Sequence, residues 1–246
     1  MRGLAQHLLA LLLFLSCFVG PSLRAASTAS ATTCTAKLDW SCFDSTVAIV
    51  GRSARNQVIS FCSGVAVDPV TIVTAGHCIE SLASKEIAEI QIYAEAVVRY
   101  DLQPAAVADR MALHLDRLYN RETSFFHRDR GMLKLTSPLP PLAFPKIDRP
   151  TARTIANGAR LQRIGFGQRR TESGPSIGRM ENRRTWVQST VHTVLSETLV
   201  TEDHHAYPGD SGGPLFLFLP GEGLFFVGVH STLDVRSGLV YSPRIL

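Results

Sequence analysis

Three residues in separate parts of the sequence have the side chains that nucleophilic attack on a carbonyl needs. Ser211 lies in the segment Gly-Asp-Ser-Gly-Gly-Pro at residues 209–214, just ahead of an apolar run. A neutral serine hydroxyl is a weak nucleophile, so it needs a base to take its proton. A histidine can be that base, and a carboxylate can fix its tautomer and stabilise its charged form. His77 is the candidate base and Asp129 the candidate carboxylate.

The surroundings of His77 and Asp129 favour these roles without requiring them. His77 ends the segment Val-Thr-Ala-Gly-His at residues 73–77, where small neighbours leave the ring room to face a cleft. A histidine beside Cys78 also fits a structural role or a metal site. No further Cys or His follows at ligand spacing, so no metal is predicted. Asp129 precedes an apolar run, and read alone it also fits a solvated turn.

The glycines around Ser211 suit a loop that turns sharply and presents backbone N–H groups. The N–H groups of Gly209 and Ser211 are the expected donors to an oxyanion, and such donors lower a barrier by on the order of a few kcal/mol. Gly212 and Gly213 tolerate close backbone approach and unusual dihedral angles. The alternative is a plain glycine turn between two strands.

The rest of the chain consists mainly of predicted short strands that would position these residues. Apolar and β-branched runs between Gly, Pro, Asp and Asn clusters predict strands at 46–51, 58–67, 70–74, 91–100, 131–135, 160–166, 185–194, 215–219, 224–230 and 239–242. Residues 81–90 and 106–118 are predicted to be helical, the second from its apolar spacing. Many short strands indicate an all-β barrel or sandwich, with the proline-rich residues 138–145 joining two halves.

The N-terminal residues have the composition of an export signal. Arg2 precedes a nearly unbroken apolar stretch at residues 8–19, which is too short for a convincing membrane span. Cleavage after Ala31 or after Ala25 would remove it, so residues 1–31 are interpreted as a signal peptide of a secreted protein, extracellular or periplasmic. The alternative is an N-terminal anchor that stays attached; we expect no stable membrane anchor.

Composition and charge fit an ordinary globular protein and argue against a nucleic-acid partner. The chain of 246 residues is 45% hydrophobic and 19% charged. Without residues 1–31 it has 23 basic and 21 acidic residues and no long basic run. Four cysteines then remain, an even number that predicts disulfides after export, with three pairings open: Cys34, Cys42, Cys62 and Cys78.

These motifs together resemble those of the trypsin/chymotrypsin-like serine proteases. Thr-Ala-Gly-His-Cys at residues 74–78, Asp129 before Met-Leu-Lys-Leu, and the segment around Ser211 are similar to the family's three signatures, in its order. Further similar segments are Phe-Cys-Ser-Gly-Val-Ala-Val at 61–67, Ile-Gly-Phe-Gly at 164–167 and Val-Gly-Val-His-Ser at 227–231. The resemblance covers about residues 46–241.

The resemblance implies two six-stranded antiparallel β-barrels with the active site in the cleft between them. His77, Asp129 and Ser211 would then be the triad of a serine endopeptidase that cleaves protein or peptide substrates through an acyl-enzyme. No cofactor is implied, and protease inhibitors are candidate partners. The predicted organisation is a signal at 1–31, an N-terminal segment at 32–45 that a disulfide can loop, and a protease domain at 46–246.

The resemblance also implies a disulfide pattern and raises a question about Asp210. It pairs Cys62 with Cys78, which leaves Cys34 with Cys42. In familiar members the residue matching Asp210 pairs with a new N-terminus that cleavage releases. Ile-Val-Gly at residues 49–51 superficially resembles such a start, but it lies too close to Cys62 and fits a strand better. Asp210 therefore needs another partner, either an arginine or an N-terminus near Thr32, because an unpaired buried carboxylate is costly.

The residues that would line the specificity pocket depart from the trypsin pattern. His205 occupies the pocket-base position, where trypsin-type members have Asp, so cleavage after Lys or Arg is not supported. Glu202 and Asp203 would need a loop shift to enter. His230, just before Ser231, matches a histidine of glutamate-specific relatives, which favours an acidic residue before the scissile bond. The alternative is that His230 is a packed strand histidine.

Two other classes of function compete with the protease. A binding protein could keep the fold without catalysis, although members that do so usually lack a triad residue and this chain has all of them. A small β-rich adhesion or scaffold domain with chance motifs is the third reading, and it predicts no special reactivity at Ser211.

Overall fold

The structure of the protein is a computed structural model that describes residues 40–122, 127–147, 154–170, 180–202 and 205–245. The predicted signal peptide, Cys34 and Asp203 lie outside the described residues. In the part of the chain that is described, no helix is long and apolar enough to cross a lipid bilayer.

Six antiparallel strands form a closed barrel in the first half of the chain, in the order β1-β2-β3-β6-β5-β4. Their bounds are β1 Thr46–Arg52, β2 Val58–Asp68, β3 Thr71–Thr74, β4 Glu89–Tyr93, β5 Ala106–Leu115 and β6 Gly131–Leu135. β1 is buried along its whole length, because Ile49 faces the barrel interior while Val50 packs against Phe166 of the second half. Residues 49–51 are therefore strand, as predicted.

The second half forms a seven-stranded antiparallel sheet in the order β13-β12-β7-β10-β11-β15-β14. Its strands are β7 Arg160–Gly165, β10 Thr185–Val194, β11 Thr198–Glu202, β12 Pro214–Leu219, β13 Gly223–Val229, β14 Thr232–Asp234 and β15 Leu239–Pro243. A separate two-stranded ribbon pairs β8 Gln168–Arg170 with β9 Met180–Asn182. The sheet curls into a half-barrel, so the predicted two-barrel architecture is confirmed.

The helical prediction for residues 106–118 is wrong, because most of this segment is strand β5. Ala108 pairs with Leu135 of β6, whereas the next paired residue, Leu113, is opposite Leu133. Three extra residues therefore bulge from β5 between these pairs. The bulge interrupts the two-residue alternation of a strand and gives the apolar residues a spacing that resembles a helix.

One short α-helix, α1 Gly76–Leu82, begins directly after β3. It overlaps the predicted helix at 81–90 only at its end, and β4 begins at Glu89. A 3-10 turn at Trp40–Phe43 precedes β1. The proline-rich residues 138–145 follow β6 and lead toward the second sheet, where the amide of Lys146 donates to the carbonyl of Leu224.

Separate apolar clusters fill the two halves, and two more lie between them. Ile72 and Leu133 are fully buried inside the first barrel, and Leu161 and Leu215 inside the second. The third cluster joins β2, β7 and β12 and includes Val65, Ile164 and Phe216, all fully buried. Burying one such side chain stabilises the fold by about 1.5–3 kcal/mol. The two halves are therefore fixed relative to each other by apolar packing.

Candidate active site

His77 and Asp129 meet where the first barrel opens toward the second. β3 and β6 pair in register up to Thr74 opposite Gly131, so the residues that follow β3 lie beside those that precede β6. The Nδ1 atom of His77 is 2.7 Å from Oδ2 of Asp129, and the His77 amide donates to Oδ1 at 2.7 Å. Asp129 is fully buried, whereas 23% of the His77 side chain is exposed. The carboxylate thus orients a ring that is partly exposed.

A third hydrogen bond to Asp129 comes from the other half of the molecule. The hydroxyl of Ser231, which follows β13, donates to Oδ2 at 2.5 Å. Three donors therefore satisfy a carboxylate that would be costly to bury alone. The sequence placed Ser231 on the pocket wall and gave no sign of this contact. Burial raises the pKa of the neighbouring Tyr119 hydroxyl, and the negative charges of Asp129 and Glu80 raise that pKa further.

Ser211 sits in a tight loop whose backbone is fixed by its own hydrogen bonds. The amide of Asp210 donates to the carbonyl of Tyr207 at 3.0 Å, and the amide of Gly213 donates to the carbonyl of Asp210 at 3.0 Å. Gly209 and Gly212 have positive φ angles of 98° and 81°, a backbone conformation that is unfavourable for residues with a side chain. Gly209 and Gly212 are thus required by the loop conformation.

Ser63 of β2 holds the Ser211 loop against the first barrel. Its hydroxyl donates to the carbonyl of Gly209 at 2.7 Å, and its amide donates to the carbonyl of Ser211 at 2.8 Å. The Ser63 hydroxyl also accepts from the Phe166 amide at 2.8 Å, and its carbonyl accepts from Thr74 at 2.7 Å. One residue of the first barrel therefore sets the direction of two peptide groups in the loop.

The N–H groups of Gly209 and Ser211 are the donors that the sequence assigns to an oxyanion. Among the described residues, no internal hydrogen bond uses either N–H group. Both residues are half-buried. This arrangement fits the predicted binding of an oxyanion.

Asp210, beside the serine, points into the protein, where two arginines meet its carboxylate. Oδ2 lies 3.2 Å from Nη1 of Arg163 and 3.3 Å from Nη2 of Arg169, and it accepts from the Tyr207 amide at 3.0 Å. Oδ1 accepts from the Gly167 amide at 2.7 Å. Asp210 and Arg163 are 1% and 2% exposed. Of the two partners that the sequence left open for Asp210, the structure shows arginine.

The predicted pocket residues His205 and His230 are both held near the Ser211 loop by backbone hydrogen bonds. The carbonyl of His205 accepts from Arg163 at 2.8 Å and from Arg169 at 3.0 Å, while the residue itself is exposed. His230 is 3% exposed, and its backbone exchanges hydrogen bonds of 2.7 Å with Gly212 and Gly213.

Glu202 does not enter a pocket in the described structure. It ends β11 on the surface, where its carboxylate lies 3.1 Å from Nδ1 of His192. The loop shift that would bring Glu202 into the specificity pocket is therefore not observed.

A surface depression of about 400 Å³ opens beside His77. It is lined by His77, Glu80, Ser81 and Arg121. Glu80 accepts a hydrogen bond from the Tyr119 hydroxyl at 3.1 Å and lies 3.8 Å from the guanidinium of Arg121.

Cys62 and Cys78 form a disulfide that joins β2 to helix α1 one residue after His77. With His77 they make the one group of the described residues whose atoms are close enough to share a metal ion. The sulfurs are bonded to each other and offer no thiolate, so this trio cannot be a thiolate metal site. Cys42 is also disulfide-bonded, and its expected partner Cys34 lies outside the described residues.

The structure combines a closed barrel with a curled half-barrel. A histidine–aspartate pair and a serine flanked by glycines lie at their junction. Together these features define a two-barrel protease fold. The family model for trypsin matches residues 44–241, and the chain belongs to the trypsin family. Among solved structures, it is similar to one described as HL collagenase, with a TM-score of 0.60 and 15% identity over 84% of this chain and 91% of that one. That likeness shows the fold. No curated protein matches the chain.

Proposed function

We propose that this protein is a secreted serine endopeptidase. The hydroxyl oxygen of Ser211 attacks the carbonyl carbon of a peptide bond while His77 takes the hydroxyl proton. The tetrahedral intermediate collapses when the C–N bond breaks, and His77 gives that proton to the leaving amine. Water then attacks the acyl-enzyme, with His77 again the base, and releases the carboxylic acid and free Ser211.

The observation that carries this proposal is the buried hydrogen-bonded pair of Asp129 and His77. A fully buried carboxylate 2.7 Å from Nδ1 fixes the ring tautomer and stabilises the imidazolium that forms during the reaction. The N–H groups of Gly209 and Ser211 would stabilise the oxyanion, because donors already in place need no rearrangement when charge develops.

Secretion is supported by the sequence at residues 1–31 and by cysteine chemistry. The disulfide between Cys62 and Cys78 fits an oxidising compartment, where such bonds persist. Protein and peptide chains are the proposed substrates, and protease inhibitors are proposed partners of the same cleft.

A fluorophosphonate probe tests the proposal against a catalytically silent binding protein. The probe should label the folded protein at Ser211, and Ser211→Ala should abolish labelling while the circular dichroism spectrum stays unchanged. Ser237→Ala is the matched control, because Ser237 is an exposed serine whose hydroxyl donates to Asp234. A correctly folded wild-type protein that takes up no probe would favour the binding protein.

An acidic residue before the scissile bond is the proposed preference. A buried His230 beside the Ser211 loop can donate an imidazole hydrogen bond to a carboxylate. The backbone of His205 receives hydrogen bonds from Arg163 and Arg169, which brings two guanidinium groups close to the predicted pocket base. Both features favour a negatively charged side chain over a positive one.

A peptide-library cleavage profile tests the acidic preference. Peptides with Glu or Asp before the cleaved bond should dominate, and His230→Gln should lower kcat/KM for a Glu substrate at least tenfold relative to a Leu substrate. The control is His192→Gln, which alters an exposed histidine on β10. Strong cleavage after Lys or Arg would overturn the preference while leaving the serine endopeptidase intact.

A further inference from the structure

The carboxylate of Asp210 is the internal anchor of the loop that holds Ser211. Its backbone amide and carbonyl both bond within the loop, to Tyr207 and Gly213, while its side chain points inward and is 1% exposed. Of the two N–H groups assigned to the oxyanion, that of Ser211 belongs to the peptide that joins it to Asp210, and that of Gly209 lies one residue before Asp210. The position of this carboxylate therefore sets the direction of those donors.

The space around the carboxylate is shaped to hold it. A Cβ atom on Gly165 would lie 2.3 Å from Oδ1 of Asp210, and one on Gly167 would lie 2.6 Å from either carboxylate oxygen. The glycines of the Ile-Gly-Phe-Gly segment thus let backbone approach Asp210 closely, and the Gly167 amide donates to it. A larger residue at either glycine would displace the anchor.

Both arginines reach the same two acceptors at opposite ends of the loop. Nη1 of Arg163 faces Asp210, while its Nη2 donates to the carbonyl of His205. Nη2 of Arg169 is within hydrogen-bond distance of both Asp210 and His205. The guanidinium of Arg169 also lies 4.2 Å from the ring centroid of Tyr207, a residue of the loop itself. The pair therefore links the predicted pocket base to the nucleophile loop.

We propose that Arg163 and Arg169 are positioning residues that assemble the oxyanion donors from within the fold, with no requirement for a free chain terminus. A buried carboxylate needs positive charge nearby, and here that charge comes from strands β7 and β8. The protease would then be competent as soon as it is folded, wherever its N-terminus has been cut. This inference rests on the proposed function, because the loop is taken to serve Ser211.

Substitution of each arginine tests the positioning role. Arg163→Met and Arg169→Met should each slow fluorophosphonate labelling and lower kcat at least tenfold per folded molecule, with KM for a substrate that has Leu before the cleaved bond changed less than threefold. Arg163→Lys should restore part of the rate, because it keeps the charge and loses the second contact. Arg169 is 21% exposed, so its variant should fold even if Arg163→Met does not.

Arg184→Met is the matched control. Arg184 is also buried and paired with a carboxylate, that of Asp44, but it lies away from the Ser211 loop. Its loss should lower stability and leave labelling per folded molecule unchanged. Equal rates in the wild type, Arg169→Met and Arg163→Met would overturn the positioning role.

Changes at the N-terminus test the second half of the proposal. The secreted protein and the same protein with a Gly-Ser extension at its N-terminus should have kcat values within twofold of each other. An extension that abolishes labelling while the protein stays folded would show that a free terminus is needed. That result would overturn this inference and leave the endopeptidase proposal standing.

A measurement independent of activity separates the two proposals. Hydrogen exchange of the Asp210 and Gly213 amides reports the loop directly, because both amides are bonded within it. These amides should lose protection in Arg163→Met and Arg169→Met and keep it in Arg184→Met. If the variants show this pattern but the wild-type protein takes up no probe, the endopeptidase proposal alone is refuted. Unchanged protection in all variants would refute the arginine anchor.

Discussion

Ser231 and Asp129 lie in different halves of the molecule and share a hydrogen bond of 2.5 Å from the serine hydroxyl to the buried carboxylate. The same oxygen of Asp129 faces Nδ1 of His77. The histidine is therefore oriented by a carboxylate that is itself held by the opposite half-barrel. Any change that separates the two halves should disturb the ring before it disturbs either core.

Removing the Ser231 hydroxyl tests this link. Ser231→Ala should lower the free energy of unfolding by about 1.5–3 kcal/mol, because a hydrogen bond to a buried charged group is lost. Probe labelling of Ser211 should also slow. Urea denaturation and labelling rates measure both effects, with Ser237→Ala as the exposed-serine control. Full labelling in a destabilised Ser231→Ala protein would contradict the proposed link to His77.

Alanine substitutions at two glycines with similar φ angles distinguish the cost of backbone strain from the cost of side-chain crowding. Gly158 and Gly212 have φ angles of 82° and 81°, but a Cβ on Gly158 would contact nothing, whereas one on Gly212 would lie 2.0 Å from Oγ1 of Thr74. Gly158→Ala should lower the free energy of unfolding by about 1–2 kcal/mol, because alanine disfavours the left-handed backbone conformation. Gly212→Ala should cost more and abolish labelling, as urea denaturation and probe uptake would show. Equal losses of unfolding free energy in the two variants would mean that the loop can move away from Thr74.

The acid sensitivity of folding should depend in part on Asp116. Burial acts to raise its pKa, but hydrogen bonds from the Leu118 amide and from Arg130, together with the charge of Arg130, leave that pKa below its ordinary value. A depressed folded-state pKa contributes stability that is present above the unfolded value of about 3.9 and lost as pH falls through the folded value.

Asp116→Asn should therefore be less stable than the wild type by about 1–2 kcal/mol at pH 7. The difference should shrink below about pH 4, as the wild-type carboxylate takes up its proton. Urea midpoints between pH 7 and pH 2 measure this, with Asp109→Asn on the exposed part of β5 as the control. A difference that stays constant across this range would rule out the carboxylate charge as its source.

Loss of the disulfide between Cys62 and Cys78 should weaken the fold near the candidate base. Its closed loop spans 16 residues, for which chain entropy predicts about 3 kcal/mol of stabilisation. The double variant Cys62→Ala/Cys78→Ala should lower the free energy of unfolding by about this amount and slow labelling of Ser211. An unchanged urea midpoint would show that packing alone holds helix α1.

The sequence predicts the strands and motifs that depend on local patterns. Runs such as those of β6 and β10 have the same bounds in the structure as in the prediction, because each is closed by turn-forming residues. The predicted strand at 91–100 ends early, at Tyr93, and the apolar spacing predicts a helix where the bulged strand β5 lies. Irregularities of this kind follow from pairing with distant strands, which periodicity does not record.

The contacts that complete the candidate site are long-range and leave no local pattern. Arg163 lies on a buried strand at a position where an apolar residue would be expected. A charged residue in a predicted buried strand is the one sequence signal that could have indicated its role. Ser231 gives no such signal, since its hydroxyl meets Asp129 across more than 100 residues of sequence. Spatial partners of this type become visible only when both halves are folded.

The four hydrogen bonds of Ser63 have a consequence for the nascent protein. Because the first barrel supplies Ser63 and the second half supplies the loop that it fixes, neither half alone can hold Ser211 beside correctly turned peptide groups. A chain that is still folding should therefore be inert toward its neighbours. Docking of the two halves therefore protects neighbouring chains, since proteolytic activity arises only in the fully folded molecule.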